Sequence, residues 1–142
     1  MSICVFCEIA NGNIPAGIVF QDAESLTFLD HRPLFPGHCL LVPRAHLETL
    51  ADIAPQSLAA LSMRAKSLAL AMETALDAEG SFIALNNRVS QSVPHLHLHI
   101  VPRTKGDGLK GFFWPRQKYR DAAHMEEVRQ KLAAAIERNV EF

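Results

Sequence analysis

Residues 94–100 read Pro-His-Leu-His-Leu-His-Ile, and this alternation decides the local structure. Successive side chains of a β-strand point to opposite faces, so His95, His97 and His99 are expected to share one face and the apolar residues the other. A solvated polar face is the alternative, but such faces normally carry Thr, Lys or Glu. The pattern therefore predicts a chemical site, where imidazole can act as a metal ligand, an acid–base group or a nucleophile.

Apolar patterning around this stretch predicts a mixed fold. Five strands are predicted, of which the first two form a hairpin and the third is buried: residues 18–20, 26–29, 39–42, 81–85 and 95–101. Apolar spacings of three and four predict helices over 55–78 and 122–138. Pro55 suits a first helical turn and Gly80 suits the helix exit. The order of these elements predicts an α+β sheet with two helices packed on it.

The composition narrows the class of protein. A chain of 142 residues fits one domain over 1–142, and 49% hydrophobic with 20% charged residues argues against disorder. A net charge of −1 gives no bulk attraction to nucleic acid or to a membrane surface. The sequence lacks an apolar run of about 18 residues and a secretory-type N-terminus, so no membrane partner is expected. Three cysteines, an odd number, fit a reducing cytoplasm.

Beyond these patterns, the motifs match a known family. Residues 94–103, PHLHLHIVPR, resemble the histidine triad (HIT) pattern of three histidines alternating with hydrophobic residues. The stretches CVFCEIANGNIPAGIVFQDAESLTFLD and PGHCLLVPRAHLETL resemble the family's opening and middle, and the N-terminal C-x-x-C resembles bacterial HIT-type hydrolases. The resemblance implies an antiparallel sheet, a homodimer, and hydrolysis or transfer of nucleoside monophosphates. Leu96 favours hydrolysis, since the uridylyltransferase branch has proline there.

The resemblance also assigns roles to individual side chains. His97, the middle histidine, would be the nucleophile at the α-phosphate, and His99 would lie beside the scissile phosphate and its leaving group. His38 and His95 would have structural or relay roles. Asp30 would accept hydrogen bonds from the ribose hydroxyls, which its two oxygens suit. The remaining polar assignments are Ser92 in the catalytic set and Asn86 and Gln91 in nucleotide binding.

Two regions around the triad carry further expectations from the resemblance. The loop at residues 86–92 contains no glycine and is shorter than in common eukaryotic members, where it is Gly-rich. The apolar wall that selects the base would be formed by four residues, namely Phe6, Ile9, Ile18 and Phe28.

The cysteines raise a metal hypothesis. Cys4 and Cys7 alone are a weak signal, because cysteines near a terminus are often just buried small residues. By resemblance to zinc-containing bacterial HIT proteins, they would join His46 and His95 in a Cys₂His₂ site for a structural zinc ion, a donor set that zinc prefers. The alternative is a metal-free fold. Cys39 lies in an apolar strand and is expected to be inert core.

A basic and aromatic segment follows the triad. Residues 103–120 contain six basic residues and one acid, and they include Trp114. This local positive patch would attract polyphosphate, and Trp114 would reach the partner subunit's site, as a tail tryptophan does in relatives. An ordinary solvated tail with an aromatic cluster for dimer packing is the alternative. Single-stranded nucleic acid is a less favoured partner, because the patch is short and the chain slightly acidic.

These observations leave three functional hypotheses. The leading one is an enzyme that acts at the α-phosphate of a purine nucleotide, such as an adenosine phosphoramidate or diadenosine tetraphosphate, through a covalent nucleotidyl-histidine. The second is a nucleotide-binding, zinc-stabilised interaction module with little turnover. The third is a structural or metal-handling zinc protein. Turnover of an adenosine 5′-phosphoramidate distinguishes the first from the others.

Overall fold

The computed structural model describes residues 3–110 and 116–139. The chain divides into two compact units, Met1–Asp107 and Gly108–Phe142, and all of the described strands lie in the first. Trp114 falls outside the described residues, so its role stays a prediction. That a single domain spans residues 1–142 also stays a prediction. Across the described ranges, the helices do not combine the length and apolar character needed to cross a bilayer.

The sheet has five antiparallel strands in the order β1-β2-β3-β5-β4. The strand bounds are β1 Ile18–Gln21, β2 Ser25–Leu29, β3 Cys39–Pro43, β4 Gly80–Ala84 and β5 Leu98–Arg103. The predicted hairpin is confirmed in β1 and β2, and Asp22 closes its turn by accepting backbone hydrogen bonds from Glu24 and Ser25. Strand β3 is buried along its whole length, as its apolar run predicts.

Helix α2 (Pro55–Leu76) packs on one face of this sheet. It begins at the predicted proline, and of the apolar face that the spacing predicts from Leu58 to Leu76, the middle four residues are buried: Leu61, Ala65, Leu68 and Met72. Leu58 is only partly buried, and Leu76 is 50% exposed at the end of the helix. The predicted exit at Gly80 is wrong, because Asp77 already adopts a left-handed conformation with φ of 54°. Aspartate tolerates this conformation better than most residues, so the chain turns early and Gly80 begins β4.

Strand β5 begins three residues later than the predicted strand over 95–101. Its pairing with β3 ends at Leu41 and Leu98, because the next residues of β3 lead to Pro43, which has no N–H to donate. The backbone N–H of Leu96 instead donates to the Leu47 carbonyl at 2.6 Å. The alternation of side chains persists through this bend, since the three intervening apolar residues all lie in the core beneath α2: Leu96, Leu98 and Ile100.

The opposite face of the sheet is covered by α1 (Val5–Ala10), a helix absent from the sequence prediction. Its buried residue Phe6 packs with a second apolar cluster on this face: Leu26, Phe28, Leu40 and Val42. In the second unit, α3 (Ala122–Asn139) agrees with the predicted helix to within one residue. The face that carries α1 is the face on which the histidines lie.

Candidate active site and metal cluster

Four rings form a row on the α1 face of the sheet. The His97 ring centroid lies 5.1 Å from that of Phe6 and 5.1 Å from that of His99, and the His38 ring lies 5.2 Å from His99. His97 and His38 are each only 3% exposed, whereas His99 is partly exposed. The structure therefore brings together three of the histidines predicted to carry the chemistry.

The position of the proton on His97 follows from its backbone contact. Its Nδ1 lies 2.7 Å from the carbonyl oxygen of His95. A carbonyl can only accept, so Nδ1 carries the proton and donates it. In the neutral ring, Nε2 is then the nitrogen with an available lone pair. This is the arrangement that a nucleophilic histidine requires.

His38 fixes the proton on His99 by a similar argument. The backbone N–H of Leu34 donates to His38 Nδ1 at 3.0 Å, so the His38 proton must be on Nε2. His38 Nε2 lies 3.0 Å from His99 Nδ1 and donates to it, which leaves the His99 proton on its own Nε2. Asp30 Oδ2 lies 3.7 Å from His38 Nε2 and adds a nearby negative charge. This chain of bonds links His38 to His99, and the relay role of His38 stays a prediction.

Burial keeps this pair of histidines neutral. Burial lowers the pKa of His99 to about 4, with the neighbouring His97 and His38 acting in the same direction. Burial also lowers the pKa of His38, although the charge of Asp30 partly opposes it. Near pH 7 the free site therefore offers the Nε2–H of His99 as a hydrogen-bond donor and holds no imidazolium at that position.

A cleft of about 400 Å³ opens beside His97, between α1 and the first strands of the sheet. Its wall is mostly apolar, formed by Val5, Phe6, Ile9, Ile14, Pro15, Ala16, Gly17, Phe28, Leu29, Leu40 and Val93. Asp30, His31, Ser92 and His97 supply its polar groups. Of the four residues predicted for the base pocket, Phe6, Ile9 and Phe28 line the cleft and Ile18 is not among the lining residues.

Asn86 and Gln91 serve their own loop and do not line the cleft. The Asn86 side chain donates to the Ser90 carbonyl, and Gln91 accepts from the backbone N–H of Arg88. Gln91 also donates to the carbonyl of Glu48 at 2.6 Å. The loop adopts left-handed conformations at two non-glycine residues, with φ of 70° at Arg88 and 59° at Ser90. These side chains stabilise a turn that glycine would form with less strain.

The predicted metal ligands converge on one point. The donor atoms of Cys4, Cys7, His46 and His95 all lie within 4.8 Å of one another. Cys4 Sγ lies 3.4 Å from His95 Nδ1, and Cys7 Sγ lies 3.3 Å from His46 Nδ1 and 3.6 Å from His95 Nδ1. Tetrahedral zinc, with bonds of about 2.3 Å to sulfur and about 2.05 Å to nitrogen, separates such atoms by about 3.6 Å. The four residues fit a zinc ion.

The hydrogen bond on the far side of His95 supports the same fit. His95 Nε2 lies 2.8 Å from the Pro43 carbonyl and must donate to it, so Nδ1 is unprotonated and turned toward the cysteines. A carbonyl partner of this kind commonly orients a metal-binding histidine. Burial raises the pKa of the Cys7 thiol, and the neighbouring Cys4 adds to this effect, so a cation bound by Cys7 would have to displace its proton.

A second group with close donor atoms is less suited to a metal. Asp30, His38 and His99 also place ligand atoms within 4.8 Å of one another. Both nitrogens of His38 already take part in hydrogen bonds, with Leu34 and His99. We therefore interpret this group as a proton-positioning chain.

Two parts of the site could not be identified from the sequence: the helical conformation of α1 and the backbone N–H of Leu34. A six-residue helix is too short to show a repeat of apolar residues. A backbone donor leaves no residue signature at all. The signals that this segment belongs to the site were the C-x-x-C motif and the family resemblance that assigned Phe6 and Ile9 to the base pocket.

The family model for the HIT domain matches residues 11–106, which include every residue of the ring row except Phe6. The chain belongs to the HIT family. The match covers more than half of the chain. It confirms the family that the triad and the N-terminal and middle stretches of the sequence resemble.

HIT relatives resemble the chain over most of its length. An uncharacterized HIT-like protein from Methanocaldococcus jannaschii is 40% identical over 108 residues, 75% of this chain and 83% of the relative. A protein named adenylylsulfatase from Arabidopsis thaliana is 29% identical over 96% of this chain and 69% of its own. The crystal structure of a zinc-bound histidine triad family protein from Mycobacterium smegmatis matches with a TM-score of 0.72 and 34% identity. The match covers 92% of this chain and 96% of that chain.

Proposed function

We propose that this HIT protein is a nucleotide hydrolase or nucleotidyl transferase that acts at the α-phosphate of purine nucleotides through a covalent nucleotidyl-His97. The observation that carries this proposal is the 2.7 Å hydrogen bond from His97 Nδ1 to the His95 carbonyl. This bond makes Nε2 the basic nitrogen of a ring that lines the cleft. A buried, oriented imidazole suits nucleophilic attack better than simple binding.

The cleft supports a nucleotide as the substrate. Its apolar wall, which includes Phe6 and Phe28, suits a flat purine base. Asp30 lies on the same cleft, and its carboxylate can accept from both ribose hydroxyls. Ser92 lines the same cleft, and its hydroxyl would bind the phosphate. Adenosine phosphoramidates and dinucleoside polyphosphates such as diadenosine tetraphosphate present this set of groups, as does the adenylyl sulfate implied by the name of the Arabidopsis relative.

The reaction would proceed in two displacements. The Nε2 lone pair of His97 forms a bond to the α-phosphorus, and the bond from phosphorus to the leaving group breaks. A bound phosphate is negative and favours the protonated form of His99, so the site takes up a proton from solvent and His99 passes it to the leaving group. Water then attacks phosphorus and gives a proton to the now neutral His99, the nitrogen–phosphorus bond breaks, and the nucleoside monophosphate leaves with neutral His97 restored; His99 releases its proton to solvent.

Zinc would have a structural role in this protein. Cys4, Cys7, His46 and His95 would hold it, tying the N-terminal helix to the sheet and leaving the other triad histidines for chemistry. The support is the Cys₂His₂ donor set and the orientation of His95 by the Pro43 carbonyl. Metal analysis of protein purified without chelator tests it, and less than about a tenth of an equivalent of zinc in a stable protein would contradict it.

We also propose a homodimer in a reducing cytoplasm. Strand β4 is an edge of the sheet, a position at which a strand of a second copy can extend the sheet. Ile83 on this strand and Met63 and Leu70 on α2 are exposed apolar residues. Sedimentation at micromolar concentration should give twice the monomer mass. The cytoplasmic location fits two cysteines that must stay reduced to bind metal.

Hydrolysis of adenosine 5′-phosphoramidate tests the function directly. The wild-type protein should turn over this substrate, and His97→Asn should lose about three orders of magnitude in kcat while AMP binding is largely kept. Binding of AMP without turnover would instead favour the nucleotide-binding interaction module. The loop bonds of Asn86 and Gln91 are the observation that favours this second function, because they withdraw two polar groups from the phosphate.

A further inference from the structure

We propose that the cysteine–histidine cluster and the nucleotide cleft are thermodynamically coupled, with Phe6 as the side chain that connects them. A metal ion in the cluster would tighten nucleotide binding, and a nucleotide would tighten metal binding by the same factor. This inference depends on the proposed nucleotide site. It gives the metal cluster a role beyond holding the fold together.

The connection begins with the position of Phe6 in α1. Phe6 lies between the two cysteines of the cluster, and Cys4 is the residue that caps the N-terminus of the helix. A metal bound by Cys4 and Cys7 would therefore fix the backbone on both sides of Phe6. The Phe6 side chain is 6% exposed, so it cannot change position without disturbing its neighbours.

Those neighbours belong to both sites. The Phe6 ring lies 5.8 Å from the ring of His95, a cluster residue, and 5.1 Å from the ring of His97, the proposed nucleophile. It also lies 5.3 Å from Phe28, with which it lines the cleft. One buried ring thus contacts a proposed metal ligand, the proposed nucleophile and the proposed base pocket.

Helix α1 has little stability of its own. It is six residues long, and its N-cap makes no side-chain hydrogen bond. A helix this short is not stable in isolation, so its position depends on the contacts that hold it. Among them are the packing of Phe6 and, when a metal is bound, the bonds from Cys4 and Cys7. Since Val5, Phe6 and Ile9 form part of the cleft wall, fixing α1 also completes the nucleotide site.

Coupling of this kind must be reciprocal, because each ligand favours the same ordered position of α1. The first ligand to bind orders the helix, so the second finds the helix already in place. Typical coupling between two sites changes an affinity by roughly 5- to 150-fold, and we expect about tenfold for one short helix. His95 adds a second link, since its ring belongs to the cluster while its carbonyl holds His97.

The test measures zinc affinity by competition with a chromophoric chelator, with and without saturating AMP. In the wild-type protein, AMP should lower the zinc dissociation constant about tenfold. Adenosine has no phosphate with which to bind zinc, and at saturation it should produce a shift in the same direction. Phe6→Ala should still bind zinc, but the nucleotide should shift its zinc affinity less than about twofold. Phe6→Leu, which keeps most of the buried volume, should bind zinc and show a partial shift.

Phe20→Ala is the matched control, because this phenylalanine is 47% exposed on β1 and is not among the residues that line the cleft. It should keep the full shift. An unchanged zinc affinity in wild-type protein that binds AMP would overturn the coupling, and a full shift in Phe6→Ala would overturn the assignment to Phe6. Failure of the zinc-loaded protein to bind AMP in calorimetry would be a different result, since it would reject the proposed nucleotide site itself.

Discussion

The assignment of His38 as the residue that positions the His99 proton makes a quantitative prediction. His38→Phe retains a buried ring at a position only 3% exposed, but it removes the donor to His99 and the acceptor for the Leu34 N–H. A neutral hydrogen bond contributes about 0.5–1.5 kcal/mol, so kcat/KM should fall by about two- to tenfold. This loss is far smaller than that expected for the nucleophile, because His99 can still reach the correct tautomer without help.

The measurement is steady-state hydrolysis of adenosine 5′-phosphoramidate across a pH series. His38→Gln is the conservative variant, since its amide can donate to His99 Nδ1 from a similar reach, and it should recover most of the activity. A merely structural role would make the two variants equally poor. Equal losses in both variants, or a loss above about 100-fold in His38→Phe alone, would refute the proposed hydrogen-bond relay.

Three other predictions concern ribose binding, pH and metal. Asp30→Asn should raise KM by about 10- to 100-fold and leave kcat within about threefold, because the carboxylate contacts the ribose equally in ground and transition states; a change confined to kcat would contradict this. Since the His99 pKa is about 4 in the folded protein and ordinarily about 6.5, the unfolded chain binds more protons, so the free energy of unfolding should fall as pH drops from about 6.5 to about 4. The free energy of unfolding, measured by urea denaturation, should depend less on pH in His99→Asn than in the control His31→Asn, because the side chain of His31 is 89% exposed. An equal pH dependence in the two variants would reject the explanation. Cys7→Ser should abolish stoichiometric zinc in metal analysis, whereas Cys39→Ser, which can still donate to the Gly37 carbonyl, should retain it; zinc in both variants would rule out the cluster.

Strands could be predicted where the sequence pattern follows the two-residue repeat of an extended backbone. Alternation in residues 94–100 and the buried run in β3 follow from the period of an extended chain, so these elements were found correctly. The start of β5 was not, because it depends on the Leu96 N–H pairing with the distant Leu47 carbonyl. Helix α1 was missed for a similar reason, since a long-range contact holds its Phe6 in place.

At the site, the sequence identified residue types but could not place their protons. The triad motif indicated His97 and His99, and the C-x-x-C indicated a metal cluster whose four residues the structure brings together. The tautomers depend on two backbone groups, the His95 carbonyl and the Leu34 N–H, which any residue could supply. The nucleotide-binding roles of Asn86 and Gln91 stay predictions. The conformation of their loop could not be derived from the sequence, because non-glycine residues adopt its left-handed positions.

A covalent nucleotidyl-His97 is the central claim, and trapping it is the most direct test. Protein mixed with adenosine 5′-phosphoramidate is quenched within one turnover at neutral or alkaline pH, where a phosphorus–nitrogen bond survives, and examined by intact and peptide mass spectrometry. We expect an adduct with the mass of AMP less one water on the peptide that contains His97, and none in His97→Asn. Turnover without any such adduct in the wild-type protein, together with near wild-type activity in His97→Asn, would contradict it.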